Sequence, residues 1–180
     1  MKNRMIKTMI AGMAILTMVL ETAFAQYPEW QHSGSFYVLT TPEGADFPVV
    51  QARLCEPVWP HCLRLIALHA PRPSGDGQRD RQLAFAAQLA AAPGEERVLV
   101  LGDLNVTAFS PRFADLLVRG GLTDSLAGQG LQSSWLSRFL PLGLTLDHVL
   151  VGPGIGVIAR RRGQDFGSDH SPVIVDIIVR

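Results

Sequence analysis

The sequence predicts an α/β (α+β) chain folded as a layered sandwich in which strands outnumber helices. Three observations carry this expectation. Short apolar runs rich in Val, Ile and Leu recur at Phe36–Thr41, Phe47–Leu54, Leu63–Leu68, Arg97–Leu101, Leu146–Val151 and Pro172–Val179. Between them only two stretches space their apolar residues as a helix does. Turns containing Gly and Pro separate the runs, and no internal repeat or low-complexity tract interrupts them. Length agrees: 180 residues make one domain with room for a core, and 47% hydrophobic against 18% charged residues suits a globular chain. Sixteen Lys+Arg balance sixteen Asp+Glu. Composition therefore carries no overall basic signal for nucleic acid, although a local patch can still serve.

The first 25 residues differ in kind. Lys2, Arg4 and Lys7 precede the apolar run Met9–Leu20, and Ala23-Phe24-Ala25 follows. A basic start, a short apolar middle and a small-x-small end are the parts of a secretory signal, and the run is short for a membrane span. The expectation is a signal peptide cleaved after Ala25, or an anchor through residues 8–20. The protein is then exported (periplasmic or secreted) or membrane-anchored. Cleavage removes three cations and Glu21 and leaves 155 residues of net charge −2.

Residues 26–180 read as one domain. Gln26–Gly34 is polar and aromatic without a period. Phe36–Thr41 and Phe47–Leu54 are strands split by the turn PEGAD. Cys55 and Cys62 bracket CEPVWPHC. They form a disulfide in an oxidising compartment or stay free thiols, and with His61 they supply too few ligands at too unusual a spacing for zinc. Leu63–Leu68 is a third strand, ending at His69, and PRPSGDG is a loop. Gln78–Ala92 is a helix with Leu83, Ala86, Ala87 and Ala90 on one face, stopped by Pro93-Gly94. Arg97–Leu101 is almost wholly apolar, as a central strand covered on both faces should be. Ser110 is placed as an N-cap, with Pro111 at the first helical position. Phe113, Leu116 and Leu117 face inward from that helix, and Gly120-Gly121 ends it. A long loop runs to about Leu144, and Leu146–Val151 and Pro172–Val179 are the last strands.

The polar residues gather at strand ends. His69 ends one strand, Asp103 and Asn105 in GDLN follow another, Asp147 opens a third, and Asp169-His170 precedes the last. Side chains at the mouths of several strands can converge on one rim, where sheet folds commonly build sites. Each residue alone has a plainer reading. Asp103 and Asn105 can make a side-chain turn. His69 can be a satisfied histidine beside Pro71, Asp147 a buried ion-pair partner, and Asp169 the cap of its turn. The joint pattern favours a site.

Four segments in this order, LRLIALHAP, RVLVLGDLNVT, LTLDHVLV and GSDHSPVIVDI, resemble the endonuclease/exonuclease/phosphatase superfamily. His69, Asp103, Asp147 and Asp169 follow one another at intervals of 34, 44 and 22 residues. The segment SPRFADLLVRGGLTDS with the later SSW is also similar, so the resemblance covers Leu63–Arg180. It implies an α/β/β/α sandwich of the deoxyribonuclease I-like type, truncated at its N-terminus. The implied activity is metal-dependent hydrolysis of a phosphoester, nucleic acid among the candidates, by a nuclease or phosphodiesterase; no protein partner is implied. Asp103 would orient or deprotonate the attacking water, and Asn105 would position it or the phosphate. His170 would act on the scissile phosphate as acid/base group, held by Asp147, and His69 matches a second catalytic histidine. Asp103, Asn105 and Asp169 would face Mg²⁺ or Mn²⁺, for which hard oxygen ligands are suited.

The chain departs from the family at its start. An opening strand carrying an Asn is not found, and the usual Glu ligand has one candidate, Glu21 in MVLET. Glu21 is either that ligand or part of the discarded leader. The alternative to an active hydrolase is therefore a truncated, inactive member that serves as a binding module or is a non-functional fragment. The tract Arg160-Arg161-Arg162 either steers a polyanion or is a solvated basic turn.

Overall fold

The run RVLVLGD folds as a strand, Arg97–Asp103, in the interior of a six-stranded sheet. Its successive side chains leave the sheet on opposite sides. Val98 and Val100 enter the core beneath the helices, and Leu99 and Leu101 enter the core between two sheets. That is why the run has no polar face. The computed structural model describes residues 6–10, 37–39, 48–55, 61–94, 97–136, 143–164 and 167–180.

In chain order the described strands are β1 (Ile6–Ile10), β2 (Tyr37–Leu39), β3 (Val49–Leu54), β4 (Leu63–Leu68), β5 (Arg97–Asp103), β6 (Thr123–Asp124), β7 (Asp147–Val151), β8 (Ile155–Arg162) and β9 (Val173–Val179). The described helices are α1 (Gln78–Ala91) and α2 (Pro111–Gly120). The larger sheet has the order β2-β3-β4-β5-β7-β6, and a three-stranded sheet has the order β1-β9-β8. Among the described strands only β4 and β5 run parallel. Their crossover is α1, whose Leu83, Ala86, Ala87 and Ala90 pack with Phe113 and Leu116 of α2 on the larger sheet. The other face of that sheet meets Val173, Val175 and Ile177 of β9. The result is an α/β sandwich of helices, mixed sheet and second sheet. The outer helical layer expected over the second sheet has no counterpart among the described residues.

Local signals account for the elements. Ser110 Oγ accepts the backbone N–H of Arg112, Pro111 opens α2, and Gly121 closes it at φ 62°. Asp76 Oδ1 accepts the N–H of Gln78 and so serves the start of α1, where Gly77 offers no side chain. Cys55 and Cys62 are joined in a disulfide.

Three strands were not expected. β8 stands where a solvated basic turn was one expectation for Arg160–Arg162, because Gly154, Gly156 and three consecutive arginines obscure any alternation. It exists through antiparallel pairing with β9. β6 is two residues held by β7, and β1 pairs with the opposite side of β9. The expected leader, apart from Ile6–Ile10, and Glu21 lie outside the described residues. Among the described residues no helix is long and apolar enough to cross a membrane.

Gly102 fixes how closely β4 and β5 approach. Its φ is +138°, and a Cβ there would lie 1.9 Å from the carbonyl oxygen of Leu68. Gly102→Ala is expected to cost roughly 3 kcal/mol or more, the sum of backbone strain and overpacking. Urea denaturation should show a lower midpoint at unchanged slope.

Candidate active site

Because β4 and β5 are parallel neighbours, the residues after them leave the sheet together. Ala70 N–H donates to the Asp103 carbonyl at 2.9 Å, and His69 Nε2 lies 3.4 Å from Asp103 Oδ2. β7 runs antiparallel to β5 with Asp147 directly opposite Asp103. Strand order and register thus put three of the expected residues on one rim before any side chain is placed.

Asp103 and Asn105 do make the side-chain turn that the plainer reading foresaw. Asp103 Oδ1 accepts the Asn105 N–H at 2.9 Å, and Asn105 sits at φ 46°. The Asn105 amide donates to the carbonyl of Ala70 at 2.8 Å and to Asp103 Oδ2 at 3.3 Å. Its Oδ1 is the atom left for a water, a phosphate or a cation. The turn and the site are the same structure.

His170 reaches this rim from the other sheet. Its Nδ1 is 2.7 Å from Asp147 Oδ2, which fixes the ring with Nε2 toward Asp103 Oδ2, 3.9 Å away. That second distance is too long for a hydrogen bond, so Nε2 is free to meet a substrate oxygen. Asp147 is itself held, since Ser134 Oγ accepts the N–H groups of both Leu146 and Asp147. Asp169 accepts from Trp135 Nε1 at 3.1 Å. His69, Asp103, Asn105, Asp169 and His170 line one cavity of about 610 Å³, and Asp147 supports it from behind.

The electrostatics are uneven. Burial pushes the Asp103 carboxyl above the usual range, and the facing Asp147 adds to this. The Asn105 N–H and the charges of His170 and His69 oppose the rise. The hydrogen bond to Asp147 holds the imidazolium of His170 to higher pH than usual, against its partial burial. Asp169 is lowered, chiefly by the Trp135 hydrogen bond. A base of raised affinity for protons beside a histidine that keeps its proton is a pair suited to acid–base work.

The donor set bears on a metal. Asp103, Asn105 and Asp169 offer hard oxygens of the type Mg²⁺ or Mn²⁺ takes. Yet both Asp103 oxygens already face N–H donors, and Asp169 serves Trp135. No group of three or more His, Cys, Asp or Glu able to hold a metal exists among the described residues. These residues therefore do not make a complete metal site by themselves.

Sequence reasoning missed the supports. Ser134 and Trp135 belong to the SSW segment, which carries the bridge from Trp135 to His170. Arg79 donates to the carbonyl of Asn105 at 3.2 Å while its other edge grips Asp80. Arg79 and Arg72 also line the cavity. Arg79 opens a helix, and only its place at the first turn of α1, over the GDLN loop, hints at the role.

A mixed sheet backed by helices on one face and a second sheet on the other, with His and Asp gathered at the strand ends, defines a layered α/β sandwich with its polar residues on one rim. The chain belongs to the endonuclease/exonuclease/phosphatase family, whose model matches residues 11–170. Among solved structures it is similar to an endonuclease/exonuclease/phosphatase from Bacteroides vulgatus, at 15% identity and TM-score 0.66 over 91% of this chain and 81% of that one. It is also similar to a mannosyl-6-phosphatase of Bacteroides thetaiotaomicron, at 16% identity and TM-score 0.62 over 84% and 68%. A third is D. rerio TDP2 complexed with single-strand DNA product, at 13% identity and TM-score 0.63 over 96% and 85%. At such identities the likeness shows the fold. No curated protein matches the chain.

Proposed function

We propose that the protein is a divalent-metal-dependent phosphoester hydrolase, a nuclease or phosphodiesterase, acting outside the cytoplasm. The observation that carries this reading is the convergence of Asp147, His170, Asp103 and His69 around one cavity. Family membership supports it, as do structural relatives described as a phosphatase and as a complex with a DNA product.

Each residue has a task in such a reaction. Asp103, raised by burial, takes a proton from the water that attacks phosphorus as the ester P–O bond breaks and the alcohol oxygen leaves. Asn105 holds the Asp103 loop and offers Oδ1 to that water. His170 presents Nε2–H to a phosphate oxygen, and Asp147 keeps the ring in the orientation and tautomer that allow this. His69, half exposed at the cavity mouth, is a second acid–base group. A bound divalent cation would neutralise phosphate charge. The family match runs through Glu21, which supports Glu21 as a further ligand. Retention of Glu21 and export by cleavage exclude one another. N-terminal sequencing distinguishes a chain starting at Gln26 from one starting at Met1.

A second reading, a binding module without turnover, is favoured by the incomplete metal site among the described residues. Hydrolysis of plasmid DNA and of bis-p-nitrophenyl phosphate separates the two. Activity with Mg²⁺ or Mn²⁺ that EDTA abolishes and Asp103→Ala lowers by roughly 10²-fold or more supports the enzyme. Equal background from wild type and variant supports the binding module.

A further inference from the structure

The tract Arg160-Arg161-Arg162 is not a turn, since all three residues lie in β8. Its three side chains have separate fates along β8. Arg161 pairs with Asp176 at 2.8 Å, and Arg162 is exposed. The side chain of Arg160 has no exposure at all and crosses from the three-stranded sheet to the larger one.

What Arg160 reaches is the back of the site. Its Nη2 donates to the carbonyl of Asp147 at 3.0 Å, and its Nη1 donates to Ser125 Oγ at 2.9 Å. Nη1 also lies 3.9 Å from Asp124 Oδ1. The other oxygen of Asp124 is 3.3 Å from Nδ1 of the buried His148, whose Nε2 donates to the carbonyl of Val106 at 2.9 Å. A buried chain of three ionisable residues therefore ends on two main-chain carbonyls. One belongs to Asp147, and the other to the residue after Asn105.

The geometry at Asp147 gives this meaning. Its N–H is held by Ser134, its carboxylate by His170 and its carbonyl by Arg160. The bond to His170 spans the two sheets, because His170 stands just before β9 and Asp147 opens β7. Arg160, whose Cα is paired with Val175 of β9, makes a second span at the same residue. Two fixed points prevent one sheet from sliding over the other where the pair meets. Replacing a buried charged network by apolar residues often leaves stability intact, so stability alone is a weak reason for such an arginine.

We propose that Arg160 is a positioning residue that sets the Asp147–His170 pair by locking the registry of the two sheets at Asp147. This rests on the hydrolase reading above. The test uses Arg160→Met, Arg160→Lys and Ser125→Ala in the full chain. Two readouts are taken: steady-state hydrolysis of bis-p-nitrophenyl phosphate, and the backbone amide signals of Asp147 and His170 in metal-free protein. Arg160→Met is expected to lower kcat roughly 10–100-fold with KM within about twofold, and Arg160→Lys to recover most of that loss. Both amide signals should move in Arg160→Met and return in Arg160→Lys. Ser125→Ala, which removes one partner of Nη1, should show a smaller change of the same kind and serves if the Met variant does not fold. Unmoved amide signals in the folded variants would overturn the proposal, as would an unchanged kcat, or a raised KM at constant kcat. A wild type without turnover overturns the hydrolase reading instead, and the amide signals still decide the role of Arg160.

Discussion

His170→Ala is expected to lower phosphoester hydrolysis by roughly 10²–10⁴-fold, with a much smaller change in KM. The ring is oriented by a carboxylate at one nitrogen and free at the other, with Nδ1 on Asp147 and Nε2 facing the cavity. Removing it deletes a proton donor and a positive charge next to the phosphate together. The loss should fall on kcat, because these interactions strengthen as charge develops on phosphorus. Single-turnover kinetics on bis-p-nitrophenyl phosphate check this. A variant with wild-type kcat would assign the chemistry to other residues.

Asp147→Asn is expected to be nearly as severe, roughly 10³-fold in kcat, and to change the pH profile as well. Asparagine offers Nδ1 of His170 a neutral partner and lets the ring take the wrong tautomer. The hydrogen bond to Asp147 is the largest cause of the rise in the His170 pKa above 6.5. If His170 acts protonated, wild-type activity falls on the alkaline side as that proton leaves, at a pH above 6.5. In Asp147→Asn this limb should move down toward 6.5, while the acid limb, which follows ionisation of Asp103 above 3.8, should shift less. Stability follows the same linkage. A histidine raised in the folded state stabilises fully below its unfolded pKa and loses that contribution as pH rises through the folded one. The stability gap between wild type and variant should therefore be widest below pH 6.5 and narrow above it. A pH–rate profile and denaturation at two pH values test both claims.

Much of this was legible in the sequence because each signal was local. Ser110-Pro111 and Gly121 cap α2 through their own hydroxyl, ring and left-handed backbone. Val98 to Leu101 declare a strand buried on both faces. GDLN shows a turn because Asp103 and Asn105 bond to each other. What escaped depends on partners distant in the chain. β8 is a strand only because β9 lies beside it, and β6 only because β7 does. Nothing in three consecutive arginines tells which one is buried; that is settled by where the carbonyl of Asp147 lies. Ser134 looks like any loop serine until the start of β7 is brought to its hydroxyl. The order of the polar residues suggested a common rim, but their mutual distances come from the parallel pairing of β4 with β5 and the register of β5 against β7.

The pairing of β1 with β9 has a consequence for the protein's handling in the cell. β9 is a seven-residue run, VIVDIIV, with a neighbour on each side. A chain shortened to Gln26 loses β1 and uncovers one row of backbone donors and acceptors along that run. Such a row is a template for any extended chain, and a strand rich in Val and Ile with one acidic residue has little to repel a second copy. The segment that resembles a disposable leader thus covers an edge of β9, and its removal is expected to leave that edge open to pairing with a second chain.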